Sequence, residues 1–311
     1  MSQGNERQRD EHKLLMNDFS FIDKRNITFI ISGLLIVIGL LSLGIQGLNL
    51  GVDFTGGSIL EVQYDQPVEA SAVESVVREH PDMQRAEAVH LGEPDSPIIR
   101  IRSTAFPDEE EREDLYGDLQ QFGEFEIVQL DSVSPVIGEE LFRAGLLALV
   151  IAVLAMVLYI TLRFEIRFAV VTIVCLLHDA LIMLGLFSLY RLEITSAFIA
   201  AILTIIGYSA NDTIVVFDRI RENLRYRKKG ESLIETIDDS IRQVLMRTLA
   251  TSVTTFVAVG SIFVFGGQNL RQFTLALLFG VVIGTYSSIF FASPLWSLWQ
   301  EKNPIQTISR I

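Results

Sequence analysis

Six blocks of this sequence, residues 27–47, 144–162, 168–190, 194–217, 249–265 and 273–295, are long and apolar enough to cross a hydrocarbon core, which takes about 20 predominantly apolar residues as a helix. That segregation decides the fold class. Half of the 311 residues are hydrophobic although the formal net charge is −13, and a soluble domain would spread its apolar residues through amphipathic elements rather than gather them into blocks. In lipid every backbone N–H and C=O must be satisfied within its own segment, so each block is expected to be an α-helix. Cys175, the single cysteine, lies inside the third block, which leaves no disulfide framework and no cysteine metal cluster to read. Residues 1–25 are polar and the first block is long enough to stay in the membrane, a pattern that predicts a signal anchor rather than a cleaved leader.

Lys and Arg set the orientation. Lys24 and Arg25 precede the first block, Arg163 and Arg167 lie between the second and third, and a basic cluster from Arg219 to Lys229 follows the fourth. The positive-inside rule puts all of these in the cytoplasm and alternates correctly through six spans. Both the 1–26 tail and the 300–311 tail are then cytoplasmic, as is a basic loop over 218–248. The segment 48–140 is extracytoplasmic. Within it acidic residues outnumber basic ones by about four to one, which an outer segment tolerates because orientation follows Lys and Arg rather than net charge. An acidic surface of this kind also makes nucleic acid an unsuitable partner.

The 48–140 segment has the pattern of a folded domain. Residues 58–64, 85–91, 98–102 and 124–133 alternate as strands do, and 68–80 and 107–122 carry helical spacing, the second opening on Pro107 and a run of Asp and Glu. Turn residues GEPDSP join the middle strands. The order βαββαβ predicts a ferredoxin-like α+β domain, four strands with two helices on one face, inserted between the first and second spans. The stretch GVDFTGG, with Gly51, Asp53, Gly56 and Gly57, joins the first span to that domain. Its glycines serve either close packing and unusual dihedrals or simply a turn.

Polar groups inside the spans carry the functional signal. Residues 207–223 read GYSANDTIVVFDRIREN, and Asn211 and Asp212 come before the chain leaves the membrane, with four apolar residues still to follow. An Asp near the centre of a spanning helix costs about 2.5–3.5 kcal/mol on insertion scales and marks a functional site by default. His178 and Asp179 lie about ten residues, roughly 15 Å, into the third span, where a helix-pairing role and a functional one weigh equally. A metal-dependent phosphohydrolase would need further ligands, and His12, His80 and His90 fall in other compartments. In the fifth span Arg247, Thr251, Thr254 and Thr255 make a polar stripe. Arg247 either snorkels to the surface or supplies a counter-charge to Asp212. A carboxylate whose distance from Arg247 changes between two conformations would take up a proton in one and release it in the other. Crossing the membrane potential supplies about 2.3 kcal/mol per charge per 100 mV to drive such a change.

GVDFTGG at 51, VSPVIGEEL at 133, HD at 178, GYSANDTIVVFDRIREN at 207 and RTLATSVTT at 247 together resemble the SecD/SecF family of bacterial protein-export subunits, on its SecF side. The resemblance runs through nearly the whole chain. It implies one six-helix half of a transporter bundle of the RND superfamily, in the bacterial inner membrane, partnered with SecD beside the SecYEG channel and the SecA ATPase. It also implies use of the proton-motive force to complete preprotein translocation, without enzyme activity, metal or organic cofactor. By the same resemblance Asp212 and Arg247 form the proton relay, supported by Asn211, Thr213, His178, Asp179, Thr251 and Thr255. Two other readings fit the spans: half of a small-molecule or lipid exporter of that superfamily, and a scaffold that only stabilises its neighbours.

Overall fold

A computed structural model describes residues 20–91, 96–103, 109–163, 165–227 and 230–302. The expected tail residues 1–19 and 303–311, most of the turn after residue 91, the opening of the helix predicted from 107, and Lys228 and Lys229 of the basic cluster lie outside them. In chain order the elements are α1 Arg25–Gln46, β1 Gly57–Tyr64, α2 Ala70–Val77, β2 Glu87–His90, β3 Ile98–Ser103, α3 Glu109–Leu119, β4 Phe125–Val133, α4 Pro135–Arg163, α5 Ile166–Leu189, α6 Ser196–Tyr226, α7 Leu233–Phe265, α8 Gln268–Ser287 and α9 Ser293–Lys302. A π-helical turn, Ser288–Ala292, joins the last two.

Six helices or helical runs are long and apolar enough to span a membrane, as the six blocks predict. Several reach further than the apolar windows. The helix of the second span begins at Pro135, the fourth continues to Tyr226, and the fifth starts at Leu233. The expected loop over 218–248 is therefore largely helical. Hydropathy sees only the lipid-facing part of a helix, whereas these extensions are amphipathic and bury Ile220, Leu224, Ile237 and Ile241 in a shared core.

The described residues divide into two compact units, one within 20–49, 149–192 and 197–302, the other within 50–148 and 193–196. In the second unit β1 to β4 make an antiparallel sheet in the order β2-β3-β1-β4, the ferredoxin-like arrangement that the pattern predicts. Leu60, Val62 and Tyr64 of β1 pack with Val73, Val77, Leu115 and Leu119 of the two helices. The alternation expected of β1 does not extend to its exposure, because Ile59 and Glu61 on its other face are buried as well. Glu61 tolerates this by facing Arg100 across the register, at 2.7–2.8 Å.

In the membrane-spanning unit the core runs along the faces of α5, α6 and α9. Phe168 stacks on Trp296 at 4.8 Å and tilts against Phe217 at 4.9 Å. The crossing of α1 and α5 is set by two glycines: a β-carbon on Gly39 would lie 2.8 Å from the Cα of Gly185. Ser42 bonds Ser188 at 2.8 Å on the same face.

Candidate functional site

The inner face of α6 places the site. Ser209, Asp212, Thr213, Val216 and Ile220 recur at the three- and four-residue spacing of one helical face, and all are buried. Asp212 is 3% exposed. Among the described residues its Oδ2 and the hydroxyl of the adjacent Thr213 have no hydrogen-bond partner. Asn211 projects to the exposed side, where it lines a cavity with Ala152, Met156, Tyr159 and Gly207.

Asp179 on α5 has the opposite surroundings. Its Oδ1 meets His178 Nδ1 at 2.8 Å, and its Oδ2 accepts from Ser209 at 2.5 Å and Ser287 at 2.8 Å. One carboxylate thus joins α5, α6 and α8. The His178 ring stacks on Phe291 at 4.3 Å, and its buried Nε2 has no partner among the described residues. Ser209 sits one turn before Asp212, so the bond to Asp179 fixes the rotation of α6 at the level of the second carboxylate.

The polar seam on α7 is displaced from the expected stripe. Thr251 and Thr254 are exposed and bond back to their own helix, while Thr255 is half-buried. Thr248 and Ser252 point inward instead: Ser252 Oγ accepts from Tyr208 of α6 at 3.2 Å and from Thr285 of α8 at 2.7 Å. Tyr208 faces Ser252 and Asn223 faces Ser240, and the buried hydroxyl of Thr248, one turn before Ser252, has no partner among the described residues. Arg247 is one residue, about 100°, further round. It is exposed and lines a cavity of ≈ 500 Å³ with Tyr159, Asp218, Glu222 and Gln243. No ion pair joins Arg247 to Asp212 in this structure. The expected counter-charge lies on the Asp218 side of α6.

The sixth span contributes a backbone irregularity at the same level. Gly280 packs against Ile205 and Gly284 against Ser209, where an added β-carbon would come within 3.0 Å of the serine Cβ. This register brings Ser288, the first residue of the π turn, level with Asp212 and Thr213. Such turns recur at functional sites because an i to i+5 bond leaves the helix locally less constrained.

At the GVDFTGG junction the glycines serve close packing and unusual dihedrals. Gly56 and Gly57 have φ of 72° and 124°, and a β-carbon on Gly56 would lie 2.7 Å from Pro135 Cα. Asp53 faces Ser196. Its Oδ2 accepts from Ser196 N–H at 2.7 Å and from Ser196 Oγ at 2.5 Å. Sequence reasoning passed over Tyr208, Ser209, Thr248, Ser252, Thr285 and Ser287, although Thr248 and Ser252 carry a visible i, i+4 spacing. Among the described residues no group of three or more His, Cys, Asp or Glu side chains is placed to hold a metal ion.

The SecD/SecF protein export membrane protein C-terminal family matches residues 115–302, and the SecD/SecF GG motif matches residues 41–68. The protein translocase subunit SecF of Sebaldella termitidis is 39% identical over 283 residues, covering 89% of this chain and 91% of that one. That of Acidaminococcus fermentans is 39% identical over 292 residues, covering 92% and 99%. Among solved structures, SecDF of Thermus thermophilus, a translocon-associated membrane protein, superposes with a TM-score of 0.82 at 31% identity over 92% of this chain. The chain spans 39% of the length of that SecDF chain. A family match over most of the spans, with relatives along nearly the full length of both chains, means that this chain belongs to the SecD/SecF family of protein export membrane proteins, among its SecF translocase subunits.

Proposed function

We propose that the chain is a proton-driven subunit of the protein-export translocase. It acts with SecD as the other six-helix half, beside SecYEG and after the SecA-driven steps, to complete passage of a preprotein. Both termini then face the cytoplasm and the βαββαβ unit faces outward, with protons as the coupling ion and no organic cofactor. The observation that carries the reading is the buried Oδ2 of Asp212, unpartnered on a spanning helix. Such a group is expensive to keep and is retained where its protonation does work.

Asp212 takes up and releases the proton, and Asn211 and Thr213 flank it. Arg247 is the partner it meets in a second conformation, reached by a rotation that brings the Asp218 side of α6 and its inner side into exchange. His178 and Asp179 hold the pivot through Ser209. The reading is tested by Asp212→Asn in membrane vesicles containing the full chain and SecD. The variant is expected to insert and to co-purify with SecD, but to lose at least tenfold of the export that depends on the proton-motive force. Wild-type export by Asp212→Asn would leave the chain as a scaffold.

A further inference from the structure

The helix that carries Asp212 has no acidic residue in its first turn. The negative charge that favours a helix N-terminus comes instead from Asp53, 143 residues away in the chain, whose carboxylate accepts both the N–H and the hydroxyl of Ser196. Three further contacts hold the segment leading into this helix. Gly51 N–H donates to Ile194 O at 2.8 Å. Glu193, 8% exposed, faces Arg100 at 3.9 Å and Arg102 at 3.8 Å. Arg100 in turn bonds the fully buried Glu61 of β1, and Arg102 donates to Leu50 O at 2.6 Å. Residues 193–196 accordingly belong to the same compact unit as the sheet, although the residues on either side of them do not.

We infer that Asp53 is a positioning residue: with Glu193, Arg100 and Arg102 it fastens Ser196, the first residue of α6, to the segment that leads into β1, so that a movement at the start of α6 is delivered to β1. This rests on the reading of Asp212 given above. The path is short and stiff. From Asp212 back to Ser196 runs one uninterrupted helix of roughly 24 Å at 1.5 Å per residue, and from Asp53 forward the chain enters β1 at Gly57. The single helical turn Val52–Thr55 between them is wedged by Gly56 against Pro135 and by Gly138 against Phe54 O.

A cap that merely stabilises the fold and a fastening that transmits motion are separated by replacing the non-covalent joint with a covalent one. A β-carbon built on Gly51 lies 3.1 Å from Thr195 Cγ2, close to the separation of about 3 Å between a Cβ and the far sulfur of a disulfide. Gly51→Cys and Thr195→Cys in a Cys175→Ser background can therefore be oxidised, and because the new β-carbon also lies 3.0 Å from Glu193 Oε1 and 3.1 Å from Ile194 O, the reduced pair carrying Asp53 is the reference for every arm. In vesicles with SecD, adding Asp53→Ala to the reduced pair is expected to raise amide exchange in the first turn of α6 at least tenfold and to lower proton-motive-force-dependent export at least fivefold. Oxidation is expected to restore export to within twofold of the same pair carrying Asp53. The inference is overturned if Asp53→Ala exports normally, or if oxidation leaves that chain as impaired as reduction does. Should Asp53→Ala fail to accumulate, Asp53→Asn goes through the same arms with a loss of at least twofold expected. Normal export by Asp212→Asn would strike the reading of Asp212 alone, and the exchange measurement would still decide whether Asp53 holds the helix.

Discussion

Asp179 and Asp212 differ in what surrounds them more than in how deeply they lie. Asp179 accepts from two hydroxyls and meets the neighbouring histidine, so replacing it breaks bonds to α6 and α8 as well as to its own helix. Asp212 leaves one oxygen unpartnered among the described residues, so an Asn there breaks no bond of that oxygen. Their substitutions should therefore be told apart by stability as well as by export. A residue outside the membrane carries a cleaner titration. Tyr64, 2% exposed, donates its hydroxyl to Leu119 O, and burial pushes its pKa from 10.0 up to about 12. The folded state thus favours the neutral phenol. The stability this contributes is fully present below pH 10 and is lost as pH rises through the folded value near 12, amounting to about 2–3 kcal/mol. Alkaline unfolding of the sheet unit, followed by amide exchange of β1, should show that loss in the parent chain. Tyr64→Phe should remove this step, and an unchanged pH dependence in Tyr64→Phe would assign the loss to another group.

At the scale of elements, two glycines decide how α1 meets α5. Each would place an added β-carbon inside the other's backbone, at 2.8 and 2.6 Å, and neither neighbour is a side chain that can swing away. Gly39→Ala is expected to force the helices apart and to cost about 1–3 kcal/mol, the range for overpacking a close interface. Gly44→Ala on the same helix meets nothing within 4 Å and is expected to be neutral or slightly stabilising. Thermal unfolding of both variants in one detergent measures the difference, and equal melting points would mean that the crossing is not set at Gly39. Elements of this kind were legible in part. The spans follow from hydropathy and the βαββαβ order from strand and helix periods, because each signal is local. The partner of a polar residue is not local, and this is why the α7 stripe reads as Arg247 and Thr251 while the helix turns Thr248 and Ser252 inward. One residue of error is about 100°. The extensions of α6 and α7 past the apolar windows escaped notice for the opposite reason, since their buried faces, Ile220 and Leu224 against Ile237 and Ile241, are too narrow to register in a hydropathy average.

At the scale of the whole molecule, the two units have separate cores. The core of the sheet unit is drawn from residues between Leu60 and Leu119 with Phe122 and Phe125 packed on it, whereas that of the membrane-spanning unit comes from Phe21, Ile22 and residues between Ile160 and Trp296. A deletion that removes one core entirely should leave the other whole. Gly57 and Val133 are register partners at the ends of β1 and β4, and opposite residues of an antiparallel pair lie about 4.5–5.5 Å apart. Residues 58–132 can therefore be replaced by a two-residue turn without pulling the GVDFTGG junction away from the start of α4. Glu193 would lose Arg100 and Arg102 in such a chain, and Glu193→Gln avoids leaving a buried carboxylate without them. The shortened chain is expected to insert all six spans, to melt within a few degrees of the parent, about 2–4 °C per kcal/mol lost, and to co-purify with SecD. Export driven by the proton-motive force is expected to fall to background, because Asp53 would still hold Ser196 but the sheet beyond Gly57 would be gone. Normal export would show that the sheet unit handles no part of translocation, and failure of the spans to insert would show that the two cores do not form independently.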